Sequence, residues 1–519
     1  MKTIIYQLLP RLWGNADTLS GTFSRIDAPS LRYIRDLGAT HLWLTGLLRH
    51  ATTLKSHGCK ASHPQIVKGA AGSPYAITDY YDVNPYLADS PALRMTEFEE
   101  MVSRIHDAGL KLIIDFVPNH VSRDYGRLGS VAPEGVVPLG ANDDTSVHWR
   151  PENDFFYYPG EPLVLPGSDK YEHSYEEMPA KATGNNYSPH PGINDWYETV
   201  KINYCDFHTA TWDKMRDILS FWVSKGVDGF RCDMAELVPR SFLRWLIAEI
   251  KRIKPETLFV AEVYQKNLYD SYVHEVGFDL LYDKSGLYDS LRAIVEKNVN
   301  DPGSPVELWQ SARMITGTWQ YLGALQPRML NFIENHDEQR VASDYFARSA
   351  EAGYPALAVS LLFNSNPFML YAGQEMGERG MDNEPFSGVN GRTSIFDWWK
   401  VTSLLELWKA IHSSEGEPDT PVYKRYREIL RLASQSPAFS DGRTYDLCYC
   451  NMTTPGFDPD RHFIFLRSDG SDTRLVAVNF SASPASFTPF IPTEALEYLG
   501  IAPLPPTLLS VPAFDFVIA

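Results

Sequence analysis

The chain has 519 residues, of which 44% are hydrophobic and 22% are charged, and its formal net charge is −18. This length predicts two or three domains with the composition of an ordinary globular protein. The acidic balance argues against a nucleic-acid or anionic-membrane partner, because both need a cationic surface, and no segment has the roughly 18 apolar residues of a membrane span.

Strand-like and helix-like segments alternate from residue 4 to about residue 375, as a (β/α)8 barrel requires. The segments expected to be the second to eighth strands are His41–Gly46, Lys111–Asp115, Val227–Arg231, Leu258–Ala261, Phe278–Tyr282, Met329–Ile333 and Pro367–Tyr371. Between the second and third strands, Thr96–Ala108 is amphipathic and predicts a helix, with a capping box formed by Thr96 and Glu99 and an end at Gly109.

Two regions depart from this alternation. From Val121 to Ile202 the periodicity lapses, and a structureless stretch of that length predicts a small inserted domain or a functional excursion. From about residue 436 the chain reads as short strands separated by turns, without helical periodicity, which predicts an all-β tail. The expected domains are a barrel over residues 1–120 and 203–435, an insert over 121–202 and a C-terminal domain over 436–519.

Carboxylates recur at the ends of apolar runs. They lie in four short segments, Asp115–His120, Gly229–Asp233, Phe259–Glu262 and Glu334–Asp337. If each run is a strand, these carboxylates converge at one rim of a parallel barrel. Glycosidic bond cleavage uses a pair of carboxyl groups, so the pattern indicates this chemistry.

Taken in order, the four segments resemble the four signature regions of the α-amylase family of glycoside hydrolases, and the resemblance covers nearly the whole chain. It implies a (β/α)8 TIM barrel whose first strand is Ile4–Pro10, an inserted domain B after the third strand and a C-terminal all-β sandwich. It also implies a retaining enzyme that acts on α-glucans and needs no organic cofactor.

The resemblance assigns roles to single residues. Asp233 resembles the family nucleophile, Glu262 the acid/base and Asp337 the carboxylate that stabilises the transition state. Retention needs the first two about 5 to 5.5 Å apart, which neighbouring strands allow. The apolar strand before Glu262 suits a carboxyl group that stays protonated. Arg231 lies on the same side of its strand as Asp233 and is expected to hold that carboxylate ionised, although a purely structural ion pair is the alternative.

Further residues match family positions around the substrate. The expected substrate-binding residues are Tyr75, His120, Arg231 and His336, and the expected structural residues are Asp115 and Asn203, the latter in a segment resembling the fifth family region. Asn119 matches a calcium ligand of many family members, and Asp143, Asp144 and Asp154 offer further oxygens. A hydrogen-bonding asparagine without a metal is the equal alternative.

Two positions differ from the family pattern. Glu236 and Leu237 stand where many α-amylases have a Lys-His pair, so the leaving-group side is built differently. Ala76 follows Tyr75 where family α-glucosidases usually carry an aspartate, which favours an open cleft that admits internal bonds.

The N-terminal segment and the cysteines favour a cytoplasmic protein. Gln7, Pro10 and Arg11 interrupt the first apolar run, so no secretory signal is predicted. The odd number of cysteines without zinc-like spacing favours free thiols in a reducing compartment. These cysteines are Cys59, Cys205, Cys232, Cys448 and Cys450.

The expected activity is that of an α-amylase cutting internal α-1,4 bonds of maltodextrin, starch or glycogen. A glucanotransferase or a cyclomaltodextrinase would use the same residues, and trehalose or sucrose chemistry also fits them. A catalytically inactive binding relative is the alternative from another class, although such proteins usually lose one of the carboxylates that are kept at Asp233, Glu262 and Asp337. The sequence leaves the oligomeric state open.

Overall fold

Eight short parallel strands form the central sheet of this computed structural model, which describes residues 2–55, 60–129, 131–167 and 173–519. The strands, β1 to β8, are Ile4–Leu8, His41–Leu44, Lys111–Phe116, Gly229–Cys232, Leu258–Ala261, Leu280–Tyr282, Met329–Leu330 and Phe368–Tyr371. Their order is β7-β6-β5-β4-β3-β2-β1-β8. A backbone bridge between Asn331 and Phe368 joins the two edges. The predicted parallel barrel is therefore confirmed.

The strand limits differ from the predicted ones by a few residues, most clearly at β7. Met329–Ile333 was expected, but the strand ends at Leu330. The ring of Phe332 packs instead against Tyr282 and Tyr288, with centroids 5.3 and 5.2 Å away. A strand buried on both faces and a buried irregular segment have the same apolar sequence pattern, so the pattern alone did not locate this end.

Helices surround the barrel. The longer ones are Ala28–Asp36, Arg94–Asp107, Ala210–Ser224, Arg240–Ile253, Asp289–Asn300, Arg313–Leu322, Tyr354–Leu362, Thr402–Ile411 and Pro421–Gln435. Short helical segments follow β5 at Tyr269–Ser271 and lie at Pro437–Ser440.

The predicted capping box at Thr96 is wrong. The helix already begins at Arg94, where no side chain caps it, and Thr96 lies inside its first turn. The Arg94 guanidinium donates to the Asp82 carboxylate at 2.6 and 2.9 Å and fixes this earlier start. The carboxylate of Glu97 accepts two backbone N–H groups of the preceding turn. The predicted end is confirmed, because Gly109 has the left-handed φ of +77° that suits glycine.

The segment after β3 folds into short antiparallel pairs. His120–Ser122 pairs with Thr199–Lys201, and Tyr157–Tyr158 pairs with Ala180–Lys181. Most of the remainder is turn and loop. The first pair starts where β3 ends, so it carries residues of the insert to the rim of the barrel. The limits 121–202 stay a prediction.

The C-terminal region is built on antiparallel strands. Its four-stranded sheet consists of Arg443–Asp446, His462–Ser468, Thr473–Asn479 and Asp515–Ile518, and a second pair consists of Ala485–Phe487 and Leu509–Val511. The expectation of no helix there is wrong, because Thr493–Leu499 is helical and ends at Gly500 with a φ of +70°. Phe463 and Phe465 pack on Phe363, with ring centroids 4.9 and 5.2 Å away, which joins the sheet to the barrel.

Within the described ranges, no helix combines the length and the apolar character needed to cross a membrane. The four described cysteines are free thiols, and Cys59 lies outside the described residues. The compartment stays a prediction.

Candidate active site

The carboxyl ends of the barrel strands bring the predicted side chains into one cavity. Asp233 directly follows β4, Glu262 directly follows β5, and Asp337 lies in the loop after β7. The cavity has a volume of about 250 Å³, and these three carboxylates line it together with Tyr75 and His120. Parallel strands deliver their carboxyl ends to one rim, so distant parts of the chain meet there.

The guanidinium of Arg231 is the centre of a carboxylate cluster. Its Nη1 lies 2.7 Å from Asp233 Oδ1 and 3.7 Å from Asp115 Oδ1. Its Nη2 lies 2.7 Å from Glu262 Oε2 and 4.0 Å from Asp337 Oδ2. The contact with Asp233 is a hydrogen bond, whereas the contact with Glu262 lacks hydrogen-bond alignment and is an ion pair only. One buried guanidinium therefore lies within 4.0 Å of four carboxylates.

Three aromatic rings enclose this guanidinium. The Arg231 Cζ atom lies 5.6 Å from the ring centroid of Trp43, 5.3 Å from that of Tyr75 and 5.6 Å from that of Tyr282. The rings exclude water and attract the cation through their π faces. The position of Arg231 is thus fixed by packing as well as by charge.

Burial dominates the electrostatics of the cluster. It raises the pKa of Asp233 well above its usual value, and the nearby charge of Arg231 opposes this rise without cancelling it. The pKa of Asp115 is raised to about 7 by burial, again against the effect of Arg231. The predicted contact between Arg231 and Asp233 is present, but the charge of Arg231 does not offset the desolvation of Asp115 and Asp233. Asp115 and Asp233 therefore retain their protons to a higher pH than exposed aspartates do.

Two donors orient the carboxyl group of Glu262. The backbone N–H of Met234 donates to Oε2 at 2.8 Å, and the hydroxyl of Tyr264 donates to Oε1. Met234 has a left-handed φ of +45°, which is unusual for a residue with a side chain and is often found at functional sites. This turn directly after Asp233 aims a backbone donor at the neighbouring strand.

His336 links the barrel interior to the cavity. Its Nε2 contacts the hydroxyl of Tyr75 and lies 3.1 Å from Asp337 Oδ2, and Gln7 Nε2 lies 2.8 Å from its Nδ1. Burial lowers the pKa of His336 to about 3, so the imidazole is neutral at neutral pH. A neutral, fully packed ring can hold Tyr75 and Asp337 in place without adding charge.

His120 lies on the wall of the cavity, at the start of the strand that leads into the insert. Its ring centroid is 5.1 Å from that of Trp196, and its Nδ1 lies 3.1 Å from Asn119 Nδ2. Burial lowers its pKa to about 3. Of the four expected substrate-binding residues, Tyr75 and His120 line the cavity, whereas the buried Arg231 and His336 contact its carboxylates.

The two residues expected to be structural contact the backbone. Asp115 Oδ2 accepts the N–H of Gly46 at 3.3 Å. Asn203 donates to the carbonyl oxygens of Arg150 and Asn153, at 2.8 Å each. Asn203 therefore fastens part of the insert to the segment that leads back to the barrel.

Asn119 does not present an available oxygen to a calcium ion. Its Oδ1 accepts a hydrogen bond from Nζ of Lys201, and its Nδ2 donates to the carbonyl of Gly184 at 3.0 Å. The same Nζ donates to the carbonyl of Leu237 at 3.0 Å. The amino group of Lys201, whose pKa burial lowers to about 7, thus occupies the position beside Asn119.

The other candidate oxygens also have protein partners. Asp154 Oδ2 accepts from Lys214 Nζ, Asp143 accepts two backbone N–H groups, and Asp144 pairs with Arg150 at 2.8 Å. Across the part of the chain that the structure describes, no three His, Cys, Asp or Glu side chains are arranged to hold a metal ion. This donor set does not fit calcium.

Several residues that line the cavity have no role predicted from the sequence. They are Lys68, Ser73, Trp196, Glu198, Thr199, Met234, Tyr264, Ile395 and Phe396. Most lie on loops, which carry no periodic signal. Tyr264 could have been found, because it follows Glu262 by two residues and an extended chain returns to the same side with that spacing.

Glu236, which differs from the family pattern, supports the loop after β5. Its Oε1 accepts the backbone N–H groups of Tyr264 and Gln265, the latter at 2.6 Å, and its Oε2 accepts from Gln265 Nε2 at 3.2 Å. Glu236 therefore acts through the backbone that carries Tyr264.

Comparison with known proteins agrees with this geometry. The α-amylase catalytic-domain family model matches residues 13–400. The chain is 24% identical to Alpha-amylase 3 of Dictyoglomus thermophilum, over 85% of this chain and 78% of that protein. It is 20% identical to a cyclomaltodextrinase of Geobacillus thermopakistaniensis, over 92% of this chain and 66% of that protein. A solved α-amylase from Geobacillus thermoleovorans, complexed with acarbose, matches with a TM-score of 0.63 and 17% identity, over 100% of this chain and 97% of that one. The chain belongs to the α-amylase family of glycoside hydrolases.

Proposed function

We propose that this enzyme hydrolyses internal α-1,4-glucosidic bonds of maltodextrin, starch or glycogen with retention of the anomeric configuration. The observation that carries the proposal is the pair of 2.7 Å contacts from one guanidinium, that of Arg231, to Asp233 and Glu262. A single planar group that contacts both carboxylates keeps them close together, as a retaining mechanism requires.

In the first step, the Asp233 carboxylate attacks the anomeric carbon while Glu262 gives its proton to the glycosidic oxygen. The glycosidic bond breaks, the shortened glucan leaves with a new hydroxyl group, and a glycosyl ester forms on Asp233. In the second step, Glu262 takes a proton from water as the water oxygen attacks the same carbon, which releases Asp233. Asp337 stabilises the positive charge that develops on the sugar.

The walls of the cavity suit a sugar substrate. Tyr75, Trp196, Tyr264 and Phe396 provide aromatic faces, while the carboxylates provide hydrogen-bond acceptors. Apolar faces combined with a few placed polar groups are the usual composition of a small-ligand site. An acarbose complex of a structural neighbour and the amylase name of a relative support an α-glucan as the substrate.

A glucanotransferase or cyclomaltodextrinase is the second candidate. Tyr264 and Met234 stand beside Glu262 on the leaving-group side and can shield the glycosyl ester from water, so that a sugar hydroxyl could attack instead. The similarity to a cyclomaltodextrinase supports the same alternative. A catalytically inactive relative is disfavoured, because Asp233, Glu262 and Asp337 all line the cavity.

The test is a time-resolved product profile from maltoheptaose, with Asp233→Asn as the blank. Early maltose and maltotriose, with nothing longer than the substrate, are expected of an endo-acting amylase. Products longer than maltoheptaose would establish a glucanotransferase, and release of single glucose units from chain ends would contradict endo action. Unchanged activity in Asp233→Asn would overturn the assignment of the nucleophile.

A further inference from the structure

Two charged residues on the wall of the active-site cavity have no part in the proposed chemistry. Lys68 lies in a loop between β2 and β3, and Glu198 directly precedes the strand Thr199–Lys201 of the insert. Lys68 Nζ lies 3.2 Å from Glu198 Oε1, so the pair joins the barrel to the insert. Both side chains line the same cavity as the catalytic carboxylates.

The second carboxylate oxygen of Glu198 is buried without a partner. The residue is only 3% exposed, and Oε2 has no hydrogen-bond donor among the described residues. A buried charged oxygen without a donor is unfavourable, so such groups usually have a functional reason. Because Glu198 lines a substrate cavity, a hydroxyl group of the substrate is the donor that this oxygen lacks.

Lys68 fixes the carboxylate for this purpose. Its Nζ contacts Oε1 and lies 5.3 Å from the ring centroid of Tyr197, and its side chain is 14% exposed. Burial raises the pKa of Glu198, the nearby ammonium of Lys68 opposes this rise, and its contact with Oε1 leaves only Oε2 available. A charged acceptor held in one orientation makes a stronger and more selective hydrogen bond to a hydroxyl than a mobile one.

The position of the pair relative to the scissile bond follows from its neighbours. Glu262 and Tyr264 mark the leaving-group side, because the acid protonates the departing oxygen. The charge of Lys68 acts on His120, and Trp196, two residues before Glu198, packs against the same imidazole. The family resemblance implies that His120 contacts the sugar that Asp233 attacks, and we place the pair beyond that sugar, toward the non-reducing end.

From this placement, and resting on the proposed function, we infer that Glu198, held by Lys68, binds a hydroxyl group of the second glucosyl residue on the non-reducing side of the scissile bond. The pair thereby makes the enzyme prefer a maltosyl unit over a single glucosyl unit as the group transferred to Asp233. Glu198 is a substrate-binding residue, and Lys68 is a positioning residue.

Two glycosyl fluorides test this inference, because fluoride occupies no sugar subsite on the leaving side. α-Glucosyl fluoride fills only the site of the attacked sugar, whereas α-maltosyl fluoride also fills the next one. The quantity measured is the ratio of kcat/KM for the maltosyl and glucosyl substrates within one protein. This ratio is insensitive to the fraction of protein that is folded.

The wild-type enzyme is expected to prefer α-maltosyl fluoride. Glu198→Gln and Lys68→Met are expected to lower the maltosyl-to-glucosyl ratio by about tenfold, the usual effect of losing one charged hydrogen bond. Glu161→Gln, on an exposed carboxylate of the same insert, is the matched control and should leave the ratio unchanged. A lower melting temperature with an unchanged ratio would mean that the pair is only structural, and would overturn the inference.

The same experiment separates the inference from the function on which it rests. If the wild-type enzyme hydrolyses both fluorides and Asp233→Asn hydrolyses neither, the proposed mechanism stands whatever Glu198 does. If the wild-type enzyme turns over neither fluoride, the proposed function and the inference both fail. Equal kcat/KM for the two substrates in the wild-type enzyme would overturn the inference alone.

Discussion

Nζ of Lys201 donates a hydrogen bond to Oδ1 of Asn119 and places an amino group where the barrel meets the insert. Lys201 is 4% exposed, and its Nζ also binds the carbonyl of Leu237. We therefore expect the melting temperature of the wild-type protein to be the same with EDTA and with added calcium. Lys201→Met should lower the free energy of unfolding by about 1–3 kcal/mol, because the buried Oδ1 of Asn119 and the partly buried carbonyl of Leu237 lose their donor.

Urea denaturation measures this loss. Lys424→Met, at an exposed lysine, is the control and should change the unfolding free energy little. A melting temperature that falls on chelation and recovers with calcium would contradict the role given to Lys201.

Glu236 should act on the leaving-group side, because it holds the backbone that carries Tyr264. Glu236→Ala is expected to lower kcat/KM for maltoheptaose by roughly 10–100-fold, as a small displacement of groups near the acid does. The loss on α-maltosyl fluoride should be much smaller, since fluoride leaves without a sugar in the leaving-group site. Glu236→Gln keeps an acceptor oxygen and should recover most of the activity.

Steady-state kinetics on both substrates distinguish positioning from folding. Equal losses on maltoheptaose and the fluoride in Glu236→Ala would show a general structural defect instead of an effect on the leaving-group side.

The loss of activity at acidic pH should reflect the protonation of Asp233. Burial raises the pKa of this carboxyl group, and the nucleophile works only when it is ionised, so activity falls as the pH drops through the raised pKa. The midpoint of this loss in kcat/KM is therefore expected well above the value of about 3.9 for an exposed aspartate.

The histidines should not cause this loss, since burial lowers the pKa of both His120 and His336 to about 3. In His120→Asn the activity should fall while the midpoint stays in place. A wild-type profile that remains flat down to about pH 4 would contradict the raised pKa of Asp233.

Much of the site was predictable because its residues lie in local patterns. The apolar runs before Asp233 and Glu262 end where the strands end, and strand alternation placed Arg231 beside Asp233. The roles at Lys201 and Glu236 were not predictable, because their partners lie 82 and about 28 residues away. A sequence pattern cannot indicate which distant oxygen a side chain will meet.

The two incorrect predictions, of a capping box and of a tail without helices, also arise from the limits of a local sequence pattern. Thr96 and Glu99 have the residue types and spacing of a capping box, but they lie inside the helix. The contact from Arg94 to Asp82 makes that helix begin two residues earlier. The short helix Thr493–Leu499 has too few residues to show a clear period in a region of strands.

Arg231 should stabilise the protein in a pH-dependent way. Arg231→Met removes a buried cation that lies within 4.0 Å of four carboxylates, and it is expected to cost about 3–5 kcal/mol of unfolding free energy at neutral pH. The raised pKa values of Asp115 and Asp233 mean that these groups are protonated at lower pH and then need the cation less. The loss should therefore shrink as the pH falls from about 7 to about 5.

Urea denaturation at the two pH values measures this change. Arg467→Met is the matched control, because Arg467 is equally buried but donates to carbonyl and hydroxyl oxygens. Its loss should be similar at both pH values. A loss in Arg231→Met that does not change with pH would contradict the electrostatic role.

The most direct test of the central claim is to trap the glycosyl ester. The wild-type enzyme is incubated with 5-fluoro-α-glucosyl fluoride, a reagent that forms the ester readily and hydrolyses it slowly, and the digested protein is mapped by mass spectrometry. The mechanism predicts one added fluoroglucosyl group on the peptide that contains Asp233, and none in Asp233→Asn. A label on Glu262 or Asp337, or turnover of the reagent without any labelled peptide together with release of the inverted sugar, would contradict it.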